Sequence, residues 1–252
     1  MKLALFGYGK MGKEIEQVAL QRGHEITLKI DVDNINSITE YDLKKCDTAI
    51  EFSTPASAIS NMTKCFDAEI PVVVGTTGWH DKLEEVIKHC KEKNGCLFYT
   101  SNFSIGVNIF FKLNEHLAKM MNNYSDYDVS LEEVHHIHKL DAPSGTAISL
   151  ANQITNILSR KKKWVASPPL PSPQGEGRFT SAHVLPEELE IISKREGEIS
   201  GNHIVKYYSA IDDIEIMHKA HNRTGFASGA VLAAEFVKGK KGVFGMNNLM
   251  QI

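Results

Sequence analysis

The densest group of side chains able to do chemistry lies in one stretch, Glu133 to Thr146, which reads EVHHIHKLDAPSGT. Three histidines and a lysine fall within the five positions from His135 to Lys139. Histidine titrates near neutral pH and can give or take a proton, whereas lysine adds a full positive charge. Such a stretch is typical of a site that binds an anion and protonates it.

The flanking residues predict which elements hold this stretch. Tyr127–Val134 has the partly alternating pattern of a strand, and apolar residues recur at helical spacing after Thr146. We expect Pro143 in the first turn of that helix, where a proline is tolerated. The N–H groups of Ser144, Gly145 and Thr146 would then lack partners inside the helix, at the positive end of its dipole. A carboxylate or a phosphate fits such a site.

Two other interpretations of the stretch stay open. Each histidine could be an ordinary surface or core residue, although this is a poor account of the whole cluster. His135, His136 and His138 could instead bind zinc. The zinc interpretation lacks a clear fourth ligand, and adjacent residues of a strand point to opposite faces.

Composition sets the class of the protein. The chain has 252 residues, of which 42% are hydrophobic and 23% charged, as in ordinary globular proteins of one large or two modest domains. The net charge of −3 gives no basic field for nucleic acid. The four cysteines form no CxxC pair, which favours a reducing cytoplasm. We expect neither a signal peptide nor a membrane helix, because no apolar run is long enough.

The N-terminal residues carry a dinucleotide-binding pattern. A predicted strand, Lys2–Phe6, runs into GYGKMG at positions 7–12, and a helix, a second strand and Asp31 follow. Asp31 lies 19 residues past Gly12. In this order the glycines allow a tight turn beside a pyrophosphate, and the acid can accept hydrogen bonds from ribose hydroxyls.

Strands continue to alternate with helices up to about Tyr99, which predicts a parallel sheet. Ligands of such sheets bind at the carboxyl ends of the strands. The loops expected there are Gly7–Gly12, Ser53–Pro55, Gly75–Thr77 and Thr100–Phe103. Ordinary turn chemistry would also explain the last three loops.

The second half of the chain has a different pattern of predicted elements. A helix is predicted over Val107–Met121, and later strands over Glu190–Arg195, Ile199–Ser209 and Asp213–Lys219, which we expect to form a mostly antiparallel sheet. Ser167–Arg178 is rich in proline and predicts an exposed, poorly ordered loop. After an apolar helix from Phe226, a short strand or turn could pack back on the first domain.

These motifs together resemble the dihydrodipicolinate (4-hydroxy-tetrahydrodipicolinate) reductases of bacterial lysine and diaminopimelate synthesis. The resemblance covers nearly the whole chain. Its most specific part is Glu133–His136 with Lys139 and Asp141–Thr146. The other matching segments are Gly7–Gly12, Gly75–Gly78, Asn102–Asn108 and Arg195–Ile199 with Gly201 and His203.

The resemblance implies an α/β fold: a Rossmann-type dinucleotide-binding domain at 1–104 plus 220–252, and an α+β substrate-binding and tetramerisation domain at 105–219. It implies a homotetramer that reduces a cyclic unsaturated dicarboxylate with NADH or NADPH, with loss of water overall and no metal. His135 would be the general acid/base and Lys139 a proton donor, while His136, Gly145 and Thr146 would hold a substrate carboxylate. The implied cofactor-binding residues are Gly7, Tyr8, Gly9, Lys10, Met11, Gly12, Asp31, Gly75, Thr76, Thr77, Thr100, Ser101, Asn102 and Phe103.

Two features bear on this assignment. The segment Ser167–Arg178 departs from the family pattern, as an insertion would. Val32 stands where some family members have an arginine beside the ribose-binding acid, so we expect both cofactors to work, with NADH preferred. The alternatives are another Rossmann dehydrogenase acting on an amino or imino acid, or a dinucleotide sensor without turnover. A sensor needs no proton donor, so the histidine stretch favours an enzyme.

Overall fold

The computed structural model describes residues 1–167, 170–171, 184–222 and 224–251. The chain divides into two compact units, Met1–Ile105 with Thr224–Ile252, and Gly106–Arg223. The strands are β1 (Lys2–Phe6), β2 (Glu25–Ile30), β3 (Thr48–Glu51), β4 (Val72–Val74), β5 (Cys96–Tyr99), β6 (Asp128–His135), β7 (Lys163–Ala166), β8 (Leu170–Pro171), β9 (Glu188–Arg195), β10 (Gly201–Tyr208), β11 (Asp213–Ala220) and β12 (Gly242–Phe244). The helices are α1 (Lys10–Gln21), α2 (Glu40–Leu43), α3 (Pro55–Asp67), α4 (Leu83–Glu92), α5 (Ile105–Met121), α6 (Gly145–Ile157), α7 (Thr224–Val237) and α8 (Met246–Met250), with a 3₁₀ turn at His80–Lys82.

The first unit is built on a six-stranded parallel sheet in the order β12-β5-β4-β3-β1-β2. Every residue of β3 and β4 is buried, because apolar clusters cover both faces of the sheet. Continuous apolar strands are what such double coverage requires. The predicted Rossmann-type α/β fold is therefore confirmed.

The C-terminal segment belongs to this first unit. α7 is rich in small residues, and its buried face packs against α1 and the central strands. β12 then pairs in parallel with β5 and forms one edge of the sheet. The tail thus returns to the N-terminal half of the chain, and its short strand completes the sheet.

The second unit is a six-stranded sheet in the order β11-β10-β6-β9-β7, with β8 also paired to β9. The apolar residues of one sheet face pack against α5 and α6. Our prediction of a mostly antiparallel sheet is wrong. β10 runs antiparallel to β6 and β11, but β9 runs parallel to β6, β7 and β8. β7 and β9 run in the same direction as β6, and α6 lies between β6 and β7 in the chain, as in a parallel crossover and not a hairpin.

The proline-rich segment is described only in part. Leu170–Pro171 forms β8, beside Lys194–Arg195. The remainder of the loop predicted at Ser167–Arg178, apart from Ser167, lies outside the described residues.

One close contact fixes the loop that follows β5. Phe103 is buried, and its ring lies 5.9 Å from the ring of Phe98 and 5.5 Å from that of Phe52. Gly229 of α7 lies against the Phe103 carbonyl so closely that a Cβ atom on Gly229 would be 1.8 Å from the oxygen. The absence of a side chain at Gly229 therefore lets α7 support the loop Thr100–Phe103.

We expect Gly229→Ala to lower the free energy of unfolding by about 1–3 kcal/mol, because helix and loop must separate to admit the methyl group. Chemical denaturation measures this change. Gly225→Ala in the same helix is the control, since a Cβ there would meet Ser104 Oγ at an ordinary 3.6 Å. Equal stability of the two variants would contradict the close contact.

Candidate active site

The glycine-rich turn after β1 has the geometry of a phosphate-binding loop. Gly7 has φ of +87°, and a Cβ atom there would lie 2.1 Å from the Phe52 carbonyl oxygen. A Cβ on Gly12 would lie 2.3 Å from the Gly7 oxygen, so the first turn of α1 packs directly on the loop. Gly9 faces open space and precedes α1 without a side-chain cap. The exposed helix start can therefore receive the phosphates of a dinucleotide.

Asp31 lies at the end of β2 beside this turn. Its Oδ2 accepts the Tyr8 N–H at 3.2 Å, and its Oδ1 accepts the Val32 N–H at 2.9 Å. The carboxylate is thus oriented by main-chain donors and stays exposed. Its remaining acceptor capacity suits ribose hydroxyls.

The loops after β3 and β4 are joined by hydrogen bonds. Thr76 Oγ1 accepts the Ser53 N–H at 2.9 Å, and the buried Glu51 carboxyl contacts both the N–H and the hydroxyl of Ser53. Burial raises the pKa of Glu51. Thr76 is itself buried, whereas Thr77 is exposed. The side chain of Thr76 therefore orders the two loops.

The loop after β5 presents a mixture of exposed and buried groups. Thr100 Oγ1 accepts the Asn102 N–H at 3.2 Å, and Ser101 is exposed. Phe103 is buried in the core, so of this residue only the main chain remains available to a ligand. The structure brings all four predicted loops to the carboxyl edge of one sheet, where nucleotides bind in folds of this class.

In the second unit, His135 is the last residue of β6 and is 7% exposed. Its Nδ1 atom lies 3.5 Å from Glu133 Oε2, while its Nε2 atom faces Gly201, where a Cβ would lie 3.0 Å away. The φ of Gly201 is +151°. One ring nitrogen therefore faces a carboxylate, and the other faces a residue without a side chain.

Glu133 is completely buried and is surrounded by donors. Its two oxygens accept the Ser144 N–H at 3.1 and 3.0 Å, and Oε1 accepts the Ser193 hydroxyl at 2.9 Å. Arg195 Nη2 lies 3.6 Å from Oε1. Burial raises the pKa of this carboxyl, but the hydrogen bonds from Ser144 and Ser193 and the charge of His135 outweigh burial and hold the pKa below its usual value.

Arg195 connects this carboxylate to the lysine loop. The guanidinium donates to the carbonyl oxygens of Lys139 and Asp141, at 3.2 and 2.6 Å. Lys139 Nζ pairs with both oxygens of Asp141, at 2.8 and 2.7 Å. The Lys139 side chain is 20% exposed and that of Asp141 65% exposed. An anionic ligand could therefore replace Asp141 beside the ammonium group.

The start of α6 differs from the prediction in one respect. Ser144 is the N-cap, so Pro143 precedes the helix instead of lying in its first turn. The Ser144 N–H donates to the Glu133 carboxylate, and Ser144 Oγ accepts the Ala147 N–H at 3.2 Å. Among the residues that the structure describes, no acceptor bonds to the N–H groups of Gly145 and Thr146. These two donors are the ones available to an anion.

The three histidines of the stretch do not converge on one point. His135 faces Glu133 and His203, whereas the rings of His136 and His138 lie 6.0 Å apart. His138 is exposed and pairs with Glu198. Glu133, His135 and His203 are of the residue types that bind transition metals, but the Arg195 guanidinium beside Glu133 disfavours a cation there. The geometry does not support the zinc interpretation with His136 and His138.

The three buried titratable groups influence one another. Burial lowers the pKa of His135, the charge of Glu133 raises it, and the charges of Lys139 and Arg195 lower it. Burial, followed by the charge of His135, lowers the pKa of His203 to about 4. His203 Nε2 lies 3.0 Å from Ser144 Oγ. His203 is therefore neutral at pH 7. The pKa of His135 is also lowered overall, because burial outweighs the charge of Glu133, which opposes it.

Sequence reasoning missed the part played by Glu133, Ser193 and Glu51. The sequence did carry a signal for Glu133 and Glu51, because an acidic residue on the buried face of a strand is rare unless it has partners. Glu133 is two residues before His135 and so shares its sheet face. Ser193 carries no such signal, because only the pairing of β9 with β6 places it opposite Glu133.

Comparisons with known proteins identify the family. The family described as "Dihydrodipicolinate reductase, N-terminus" matches residues 1–103, and "Dihydrodipicolinate reductase, C-terminus" matches residues 106–250. The chain belongs to the dihydrodipicolinate reductase family. Its activity is the pyridine-nucleotide-dependent reduction, with NADH or NADPH, of 4-hydroxy-tetrahydrodipicolinate in lysine and diaminopimelate biosynthesis.

Individual relatives agree with this membership. A 4-hydroxy-tetrahydrodipicolinate reductase of Christiangramia forsetii is 45% identical over 252 residues, which cover 99% of this chain and 98% of the relative. One from Neisseria gonorrhoeae is 32% identical over 238 residues, 93% of this chain and 83% of the relative. A dipicolinate-bound dihydrodipicolinate reductase from Paenisporosarcina sp. TG-14 has the same fold, with a TM-score of 0.72 at 21% identity and 98% coverage of both chains.

Proposed function

We propose that His135 and Lys139 are the proton donors of this reductase, and that the start of α6 holds a carboxylate of the substrate. One observation carries the proposal. The buried Glu133 carboxylate contacts both the His135 ring and the Ser144 N–H, so a single group joins the proton donor to the anion site. Arg195 extends this connection to the loop of Lys139.

The substrate is a cyclic dicarboxylate, and each residue has a task suited to that chemistry. The N–H groups of Gly145 and Thr146, at the positive end of α6, bind one carboxylate. We assign His136 to the same carboxylate; the residue is half-buried, and its buried Nδ1 atom has no partner within the described part of the chain. The dipicolinate bound to the Paenisporosarcina reductase is itself a dicarboxylate, which supports this class of ligand.

The reaction consumes a hydride and a proton and releases water. The nicotinamide of the bound cofactor supplies the hydride. The proton comes from a residue of the chain, and His135 can give it from Nε2 when both ring nitrogens are protonated. The substrate's negative charge favours that protonated form. Lys139 is a second proton donor. Once its ammonium group separates from Asp141, it also offers a positive charge to the dicarboxylate substrate.

We propose that the first unit binds the dinucleotide through the predicted loops. The pyrophosphate lies over the Gly7–Gly12 turn at the start of α1, and Asp31 accepts hydrogen bonds from the adenosine ribose. The loops Gly75–Thr77 and Thr100–Phe103 line the remainder, with Thr77 and Ser101 as exposed side-chain donors. The side chains of Thr100 and Asn102 bond within the loop and order its main chain. Thr76 and Phe103 contribute through loop order and main chain, because their side chains are buried.

Removal of either proton donor should slow the chemical step. We expect His135→Gln and Lys139→Ala each to lower kcat by about 10²–10⁴, while the binding of NADH is retained. Steady-state kinetics with the dihydrodipicolinate synthase product and NADH fluorescence titration measure the two effects. His138→Gln, at an exposed histidine of the same stretch, is the matched control. Near-normal turnover in the His135 or Lys139 variant would remove that residue from the mechanism.

We propose that NADH is preferred by a modest factor, with NADPH still used. A 2′-phosphate at Asp31 would face a like charge, and Val32 offers no compensating group. Lys10 is exposed in the glycine loop and can offset part of the repulsion. We expect Asp31→Ala to shift the ratio of kcat/KM values towards NADPH, with Asp33→Ala at a neighbouring exposed acid as control. A wild-type preference for NADPH, or an unchanged ratio in Asp31→Ala, would contradict this role.

We propose a homotetramer assembled through the second unit. The sheet face opposite α5 and α6 bears Val134, Ile192, Ile204 and Met217, and none of these four belongs to the apolar core that packs on the two helices. Ile204 and Met217 are directly paired, and Met217 is 57% exposed. These apolar side chains lie among charged ones on the same face, including Glu132, Lys194 and Lys206, and a second copy of the chain would cover them.

We expect light scattering at micromolar concentration to give a tetramer mass for the wild type and a smaller mass for Met217→Glu, since the interface would bury the introduced charge. Ile211→Glu is the control, because Ile211 is 90% exposed in the turn between β10 and β11. A monomeric wild type would exclude the assembly.

We also place the enzyme in the cytoplasm. All four cysteines are free and buried, as in proteins of a reducing compartment. Among the described residues, no helix has the length and apolar character needed to cross a bilayer.

A further inference from the structure

We propose that Glu133 is a positioning residue of the reductase, whose buried negative charge favours proton binding at His135 and whose oxygens hold the start of α6 in place. This inference rests on the proposed role of His135. It adds a residue that does not itself contact the substrate in the proposed site. Three observations carry it: the contacts of Glu133, the charges that surround it, and the different partners of the two His135 nitrogens.

The contacts show that Glu133 is held in one orientation. Its side chain is 0% exposed, and it accepts hydrogen bonds from the Ser144 N–H and the Ser193 hydroxyl. β9 and β10 flank β6, and their pairing places Ser193 and His203 directly opposite Glu133. A carboxylate fixed from two neighbouring strands and a helix start cannot turn away from the His135 ring.

The surrounding charges favour an ionised carboxylate. Arg195 Nη2 is 3.6 Å from Oε1, and the two imidazoles approach Oε2, with His135 Nδ1 at 3.5 Å and His203 Nε2 at 3.7 Å. The hydrogen bonds and charges around Glu133 outweigh its burial and keep its pKa low. Burial lowers the pKa of His203, and the charge of His218 lowers it as well. The ionised Glu133 carboxylate therefore faces both the Arg195 guanidinium and the His135 ring.

The effect on His135 follows from the sign of each charge. Burial lowers the pKa of His135, as do the charges of Lys139 and Arg195, whereas Glu133 and Asp141 raise it. Glu133 makes the largest of the raising contributions. Without it, the imidazolium would be confined to lower pH, and fewer molecules would carry a proton on Nε2 at neutral pH.

The same carboxylate sets the geometry of the anion site. The Ser144 N–H donates to Glu133, whereas the next two N–H groups of α6 have no acceptor among the described residues. A glutamine at position 133 retains a carbonyl oxygen for this bond but loses the charge. Glu133→Gln thus separates the electrostatic role from the structural one.

The test compares Glu133→Gln with Glu188→Gln. Glu188 is also a buried, ion-paired carboxylate of the same sheet, 2.9 Å from Lys163 Nζ, and lies at the other end of β9. We expect Glu133→Gln to lower kcat about tenfold at pH 8, with a smaller loss at pH 6 and little change in KM. The alkaline limb of its pH profile should move to lower pH, while that of Glu188→Gln stays in place.

NMR titration of the His135 ring, at a resonance assigned by its loss in His135→Gln, gives a readout independent of turnover. The midpoint should fall in Glu133→Gln and recover most of the way in Glu133→Asp, which keeps the charge. If Glu133→Gln does not fold, the proposal is tested with Glu133→Asp alone. The His135 midpoint in that variant should then lie slightly below the wild-type value. An unchanged midpoint in folded Glu133→Gln, or an activity loss equal at every pH, would overturn the proposal. Full activity of His135→Gln would instead refute the proposed function, whatever the midpoint shows.

Discussion

A negative charge in a protein interior must be surrounded by donors, and in this reductase that requirement organises the second unit. Glu133 receives hydrogen bonds from a helix start and a neighbouring strand, and its charge is balanced by Arg195 and His135. Each donor is thereby fixed relative to the others. The polar end of the sheet is built around one carboxylate, while the apolar face of the same sheet packs against α5 and α6.

The first unit follows a different constraint, the close approach of main-chain segments at one sheet edge. Gly7 must pass the Phe52 carbonyl, and Gly12 must pack on Gly7, so neither position accommodates a side chain. A hydrogen bond from the Ser53 N–H to Thr76 Oγ1 then joins the next two loops. The result is a rigid rim with an exposed helix start, which suits a ligand that is long and carries its negative charge near the middle.

Sequence reasoning recovered the features that depend on local pattern. The glycine turn, Asp31 after β2, and the strand and helix on either side of the histidine stretch all follow from periodicity and turn chemistry. The direction of β9 was not recoverable in this way, because alternation looks the same in parallel and antiparallel strands. The surroundings of Glu133 were also missed, since Ser193 and His203 reach it only through strand pairings between distant parts of the chain. Pro143 was predicted in the first turn of α6, but it lies just before the helix, because Ser144 is the N-cap.

The position of β12 has a consequence for how the protein is made. β5 ends at Tyr99, but the strand that completes its sheet begins at Gly242, after the whole second unit has been encoded. On the ribosome, the continuous second unit can therefore fold before the first unit acquires α7 and β12. Until then, one edge of the nascent parallel sheet and the apolar surface destined for α7 lack their native cover. Synthesis of this enzyme passes through an intermediate with exposed strand and core surface, the kind of species that molecular chaperones bind.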